Sequence, residues 1–369
     1  MHDQEKFLAL LNSPDETNIE VALEMAEGIA ALQEKVNTYL HLYDQLYSQA
    51  REILSDKEKI ARLNKVDQSF SGRKMQTLPS TIGLLGQLEI LNLSDNDLTT
   101  LPDTFSQLTQ LKRLYLEQNY FEKIPEVIQS LKNLSVLNIA YNQLTAATLI
   151  SYLVSLEELD LTANQLTTLP DSICRLQELK RLYLQENKLS NLPNRFKELE
   201  SLEDLDLYNN TFEEFPLEVV ALKKLFLLNL GSNHLKELPT QIDQLTILEV
   251  LILSDNQLAT LPASIASLTQ LKNLVLDSNH FSSLPDIFAD LKHLHYLYVG
   301  SNQLQVLPPT LYRLPVLRIL DLSNNQFTTL PEEIRYLPKL EELQLEGNPI
   351  SLEEVDKIKS WLPHCTVFF

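Results

Sequence analysis

The chain has little cysteine, glycine, tryptophan or positive charge, and each shortage excludes something. Two cysteines in 369 residues, Cys174 and Cys365, supply no disulfide framework and favour a reducing compartment. The seven glycines form neither a GxGxxG nor a GxxxxGKS/T arrangement, so no phosphate cradle is visible. Thirty basic residues face 50 acidic ones, and a formal net charge of -20 repels phosphate backbones and anionic lipid surfaces. Nucleic acid and membrane are therefore not expected as partners. No apolar run approaches the ~20 residues of a membrane span. The start, MHDQEKFLALLNSPDE, carries acids before any apolar run, unlike a signal peptide, so a cytoplasmic protein is expected. No His or Cys pair has zinc spacing, and His280, His293 and His295 fall at different points of the period described next. The expectation is a non-enzyme without metal or cofactor.

What the chain has is repetition. Leu88 to Gln110 reads LEILNLSDNDLTTLPDTFSQLTQ, and close copies return as LKRLYLEQNYFEKIPEVIQSLKN, LEVLILSDNQLATLPASIASLTQ and LRILDLSNNQFTTLPEEIRYLPK. The best marker is an asparagine: Asn96, Asn119, Asn142, Asn164, Asn187, Asn210, Asn233, Asn256, Asn279, Asn302, Asn325 and Asn348. Every step is 23 residues except Asn142 to Asn164, which is 22. Repeat proteins grow by adding units, which overrides the two-domain default for this length.

These residues match LxxLxLxxNxLxxLPxxIxxLxx, and the chain resembles the leucine-rich repeat family, most nearly its intracellular Ras-group-related class. The resemblance implies an α/β solenoid, a right-handed horseshoe with a parallel sheet on its concave side. The physical reasons run parallel to it. Leu91 and Leu93 sit two apart and point to one face of a short strand, while Ile90, Asn92 and Ser94 point to the other. One repeat cannot bury such a face, but strands stacked ~4.8 Å apart make it a continuous core. The asparagine falls where the strand ends, and a buried amide side chain can satisfy backbone groups there. Leu98 and Leu101 refill the core, Pro102 sets the corner, and Phe105 and Leu108 suit one helical turn on the outer side.

The ends differ from the array. Residues 1–65 predict a helical N-terminal cap, with a helix start at Ser13, Pro14 and Glu16. A seam of Leu32, Val36, Tyr39, Tyr43, Leu46, Ala50 and Ile53 at alternating steps of four and three suits a cap helix, or else dimerisation through residues 30–54. The array spans residues 66–348 and opens on a degenerate unit, with Phe70 for a strand leucine and Arg73 for the asparagine. The short unit after Asn142, QLTAATLISYLVS, lacks LP and predicts a fuller helix. Residues 349–369 predict a C-terminal cap: a Ser351/Glu354 capping box, a helix with Val355, Ile358, Trp361 and Leu362 on one face, and a last strand in CTVFF.

With no catalytic motif, function falls to the outward strand positions. Their N-terminal half is polar, and Glu158, Arg181 and Asp204 form a row. Leu227, Val250, Ile252, Val275, Tyr296, Tyr298 and Ile319 form an apolar zone on five neighbouring strands. A contiguous exposed patch of ~300–600 Å² marks contact on a soluble protein, although parallel strands also tolerate β-branched residues on both faces. The sequence therefore predicts a non-catalytic scaffold, a monomer that binds a protein or peptide on its concave face. The apolar set would provide anchors, and Tyr115, Tyr183, Tyr208, Glu158, Asp160, Asp204 and Asp206 would meet a more polar, basic part of the partner. Regulation of a small GTPase or kinase complex, which the resemblance suggests, and self-assembly through the N-terminal helices stay open.

Overall fold

In each repeat from Leu88 on, three residues form a strand whose central leucine is sealed from solvent. The computed structural model describes residues 2–48 and 52–369. They divide into two units, Met1–Asn164 and Gln165–Phe369.

In the first unit, strands β1 (Asp67–Ser69), β2 (Ile90–Asn92), β3 (Arg113–Tyr115), β4 (Val136–Asn138) and β5 (Glu158–Asp160) pair in parallel, in sequence order. In the second, β6 (Arg181–Tyr183), β7 (Asp204–Asp206), β8 (Leu227–Asn229), β9 (Val250–Ile252), β10 (Asn273–Val275), β11 (Tyr296–Tyr298), β12 (Ile319–Asp321), β13 (Glu342–Gln344) and β14 (Thr366–Phe368) do the same. Every pairing from β2 to β5 and from β6 to β13 sets a leucine beside a leucine, so the core column is unbroken within each unit. After each strand from β1 to β12 comes a single 3₁₀ turn, preceded by a proline in every unit but the one after β4, such as Asp103–Gln107 following Pro102.

The asparagines act as the sequence predicts. Asn210 Nδ2 donates to Leu184 O, Leu207 O and Tyr208 O at 3.0, 3.1 and 3.3 Å, while its Oδ1 accepts from Leu189 N–H at 2.9 Å. One buried amide thus serves its own strand end and the preceding repeat. The residue before it is left-handed in repeat after repeat, with φ 55° at Asp95, 50° at Ala163 and 51° at Ser232. That conformation costs a non-glycine residue ~1–2 kcal/mol, and the amide bonds around it hold it in place.

Four helices precede β1: α1 (His2–Leu11), α2 (Glu16–Ala26), α3 (Ala30–Leu46) and α4 (Asp56–Leu63). The start of α2 corrects the expected one, since its N-cap is Asp15. The Asp15 carboxylate accepts from Thr17 N–H at 2.8 Å, and Ser13 Oγ accepts from Asp15 N–H at 3.1 Å. Both side chains cap well, but the aspartate also brings a negative charge to the helix dipole. Of the expected seam, Val36, Tyr39, Tyr43 and Leu46 are buried within the unit, and α3 ends at Leu46. Ile53 is fully exposed, Leu32 is half-buried, and Ala50 lies outside the described residues. The seam therefore stops after two heptads; its Tyr39 hydroxyl is bonded to Asn12, and Tyr47, just past the helix, donates to Gln68 at 2.5 Å.

The odd residues of the first repeat fasten this cap. Gln68 takes the place of the central strand leucine and donates to Arg62 O at 2.5 Å and Leu63 O at 3.3 Å. Arg73, in the asparagine's place, donates to Leu46 O and lies 5.0 Å from the ring centres of Tyr47 and Phe70.

Two further expectations are corrected. The short unit after Asn142 carries only a 3₁₀ turn, Ile150–Tyr152, and not a fuller helix. Its buried residues Ala147, Ile150 and Leu153 are three apart, which matches a helix of three residues per turn and not 3.6. At the C-terminal end, α5 (Leu352–Trp361) buries Val355 and Ile358, but Trp361 is only half-buried. Ser351 Oγ accepts from Glu354 N–H at 3.3 Å, whereas the Glu354 carboxylate accepts from Thr329 Oγ1 at 2.5 Å and leaves the capping box half made.

Candidate interaction surface

The alternation of the strands decides which side chains face away from the core. In β8–β12 the central residues Leu228, Leu251, Leu274, Leu297 and Leu320 are 0% exposed, and the residues flanking them are half-buried against one another. Register then assembles the apolar zone. Leu227 lies beside Val250, Ile252 beside Val275, Val275 beside Tyr298, and Tyr296 beside Ile319. Only Asn273 interrupts the first column. All seven predicted residues are brought to one sheet face of the second unit, and none is covered by another part of it.

Phe226 joins them, 38% exposed and adjacent to Leu227. Sequence reasoning passed over it because it precedes the strand. Its signal is the column itself, where the other repeats of this unit hold Lys180, Glu203, Glu249, Lys272, His295, Arg318 and Glu341.

The polar candidates are distributed differently. Tyr115, Glu158 and Asp160 lie on β3 and β5 of the first unit, whereas Tyr183, Asp204, Asp206 and Tyr208 lie on and after β6 and β7 of the second. Arg181 and Asp204 are register partners, and Glu158 belongs to the other unit. Several of these groups are engaged at home. Asp160 Oδ1 accepts from Thr162 N–H at 2.9 Å and from its hydroxyl at 2.5 Å. Asp206 accepts from Tyr208 N–H at 2.9 Å and from Asn229 Nδ2 at 3.1 Å. Tyr183 O–H donates to Asp204 at 3.3 Å. Such aspartates tie down a strand end before they can serve a partner. Burial also pushes the Asp160 carboxyl and the Tyr298 hydroxyl above their ordinary ranges. Tyr208, 39% exposed, is the freest of the tyrosines on this list.

Among the described residues no group of three or more His, Cys, Asp or Glu is placed to hold a metal ion. His293 Nδ1 sits 2.8 Å from Thr269 O and His295 Nδ1 2.6 Å from His293 O, so both rings are tied to backbone. Cys174 is buried and Cys365 half-buried, both as free thiols, and burial pushes Cys365 up to about 11. That value leaves little reactive thiolate. A depression of about 810 Å³ lined by Val306, Leu307, Pro309, Tyr312 and Tyr336 lies on the turn side, away from the sheet face. No described helix is long and apolar enough to cross a membrane.

Comparison with known proteins agrees with this architecture. A leucine rich repeat model matches residues 154–212 and 292–350, and a leucine-rich repeat region model matches residues 68–148 and 218–297. Among solved structures, a leucine-rich repeat protein of Leptospira interrogans is 36% identical with a TM-score of 0.74, over 80% of this chain and 82% of that one. The internalin InlF of Listeria monocytogenes is 25% identical with a TM-score of 0.76, over 89% and 93%. The plant peptide hormone receptor RGFR1, solved in complex with RGF2, is 25% identical with a TM-score of 0.62, and the match spans 79% of this chain but 53% of the receptor. Among curated proteins nothing matches. Strand register, asparagine ladder and these likenesses lead to one conclusion: the chain belongs to the leucine-rich repeat family.

Proposed function

We propose that this protein is a non-catalytic scaffold that binds a protein or peptide on the outward sheet face of its second unit. One observation carries the reading: Leu227, Val250, Ile252, Val275, Tyr296, Tyr298 and Ile319 form a register-paired, half-exposed apolar strip on five successive strands. Burying ~300–600 Å² of such surface is worth ~8–15 kcal/mol gross, against ~4–15 kcal/mol lost on association, so binding is affordable. The complex of RGFR1 with RGF2 supports a peptide as one kind of ligand. Tyr183, Tyr208, Asp204 and Asp206 continue the face toward a polar part of the partner. Tyr115, Glu158 and Asp160 offer a separate polar surface on the first unit.

Regulation of a small GTPase or kinase complex is the narrower version of this reading, supported by the 23-residue LP unit. A monomer in a reducing cytoplasm fits the free cysteines and the burial of Val36, Tyr39, Tyr43 and Leu46 inside their own unit, which leaves little seam for self-assembly. The test is partner capture from lysate with Val275→Arg plus Tyr298→Asp beside wild type. Loss of the captured protein with unchanged melting supports the strip, and unchanged capture removes it.

A further inference from the structure

The two edges of the outward face in Gln165–Phe369 are charged differently. Where the strands begin, charges of both signs neutralise each other: Lys272 pairs with Glu249 at 2.8 Å, and Arg318 with Glu341 at 2.9 Å. Where the strands end, no outward position from Tyr183 to Gly347 holds lysine, arginine or histidine, while Asp206, Asp255, Asp277, Asp321 and Glu346 all stand there. The apolar strip thus runs between a neutral edge and an acidic one.

The acidic edge has a focus beside Tyr298. Gly300 lies two residues further along the chain, on the same face, in a column where only Gly231 among β6–β13 also lacks a side chain. At Gly300 the point where a Cβ would stand is 2.8 Å from Ser323 Oγ and 3.2 Å from both Asp277 Oδ1 and Asp321 Oδ1. Two carboxylates and a hydroxyl from two neighbouring repeats therefore surround the space that a side chain at Gly300 would fill. Those same Oδ1 atoms also accept backbone amides, Asp277 from Gly300 N–H at 2.6 Å and Asp321 from Ser323 N–H at 2.8 Å. Neither carboxylate has an ion-pair partner among the described residues. Gly231 is an internal comparison, because its nearest atoms are Ser254 Oγ, Tyr208 Cδ2 and Asn229 Oδ1, with no carboxylate.

Building on the reading of this face as a docking surface, we propose that its partner is a linear segment with apolar side chains on Val275 and Tyr298 and a lysine ammonium between Asp277 and Asp321 above Gly300. An ammonium has three donors to share among two carboxylates and a hydroxyl, and its charge answers an edge that holds no cation of its own. Burial pushes the Asp277 carboxyl up to about 6, with the Gly300 N–H working against this and the nearby Asp321 charge adding to it.

The test pans a displayed library of random dodecapeptides on the full chain. Selected peptides are then measured by fluorescence polarisation, each with its lysine free or acetylated. The proteins are wild type, Val275→Arg, Gly231→Ala, and Asp277→Asn with Asp321→Asn, an isosteric pair whose folding is checked by melting. Expected are selected peptides with a lysine beside apolar residues, weakened about tenfold by acetylation on wild type but not on the double-asparagine variant, and untouched by Gly231→Ala. Selected peptides without lysine, or an equal acetylation effect on both proteins, overturn the lysine seat. If Val275→Arg abolishes binding while the asparagine pair does not, the docking face stands and only the lysine seat falls. Binding indifferent to Val275→Arg, or no selected peptide, removes the face and the seat together.

Discussion

The outward faces of β2–β5 and of β8–β12 are built on the same repeat and end up unlike. Both bury their central leucines completely, Leu91, Leu114, Leu137 and Leu159 in one, Leu228, Leu251, Leu274, Leu297 and Leu320 in the other. Both carry the asparagine ladder. They part at the second outward position, which reads Asn92, Tyr115, Asn138, Asp160 in the first and Asn229, Ile252, Val275, Tyr298, Asp321 in the second. Where Asn or Asp stands there, its side chain folds back to accept from the amide two residues on, at 2.9 Å for Ser94, 3.0 Å for Ala140 and Gly231, and 2.8 Å for Ser323. Ile252, Val275 and Tyr298 carry no acceptor that can do this. After Tyr298 the Gly300 N–H donates to Asp277 of the preceding repeat instead, at 2.6 Å, so two successive repeats forgo a bond worth ~0.5–1.5 kcal/mol each while three gain a row of apolar side chains. The comparison teaches that the scaffold positions hold the fold, and that the outward positions can be spent against local stability.

Substitutions can break or sharpen that contrast. The largest effect is expected in the shared core: Leu251→Ala and Leu137→Ala should each cost ~2–5 kcal/mol in urea unfolding, and a wide gap between them would mean the two arrays are not equivalent inside. Next come Asn210→Ala and Asn119→Ala at ~1–3 kcal/mol each, because buried carbonyls and an amide lose their partner; unaltered melting would count against the ladder.

Asp277→Asn should stabilise by about 1–2 kcal/mol near pH 7, after allowance for solvent screening. The folded carboxyl sits at about 6 against an ordinary 3.8. Below about pH 4 both states are protonated and the substitution is neutral, its benefit grows between about 4 and 6, and it is complete above that. Thermal melting across this range checks it, and a benefit that grew toward acid would reverse the assignment. The smallest effect on stability belongs to Val275→Asn, which restores the acceptor found in the other face and loses a half-exposed valine. A shift within ~1 kcal/mol is expected together with loss of peptide binding, so that stability and recognition separate in one variant.

Much of this was legible in the residues. The leucine pairs, the asparagines and the LP corners report contacts that each repeat makes with a copy of itself, and a contact between like units appears in the sequence as a period. The seven apolar outward residues were legible for the same reason, since strand alternation assigns every second residue to one face. The left-handed residue before each asparagine was not, because Asp95, Gln118, Tyr141, Ala163, Glu186 and Ser232 have no side-chain chemistry in common. The helix start at Asp15 was misplaced because Ser13 and Asp15 are both good caps, and only the packed structure ranks them. The seam failed beyond Leu46 because its spacing measures what a helix could bury and not where the helix ends.

By itself the sequence determined the repeat, its stacking direction and its sealed core, since a 23-residue unit with one leucine face has no way to hide it except against the next unit. Tertiary structure decided which outward groups are committed at home and which are left over. Asp206 is bound to Tyr208 N–H and Asn229, whereas Asp277 and Asp321, each holding one backbone N–H, meet across Gly300 without an ion-pair partner among the described residues. These outcomes depend on side chains about one repeat apart in sequence and a few ångströms apart in space, a distance that only the stacked strands bring into being.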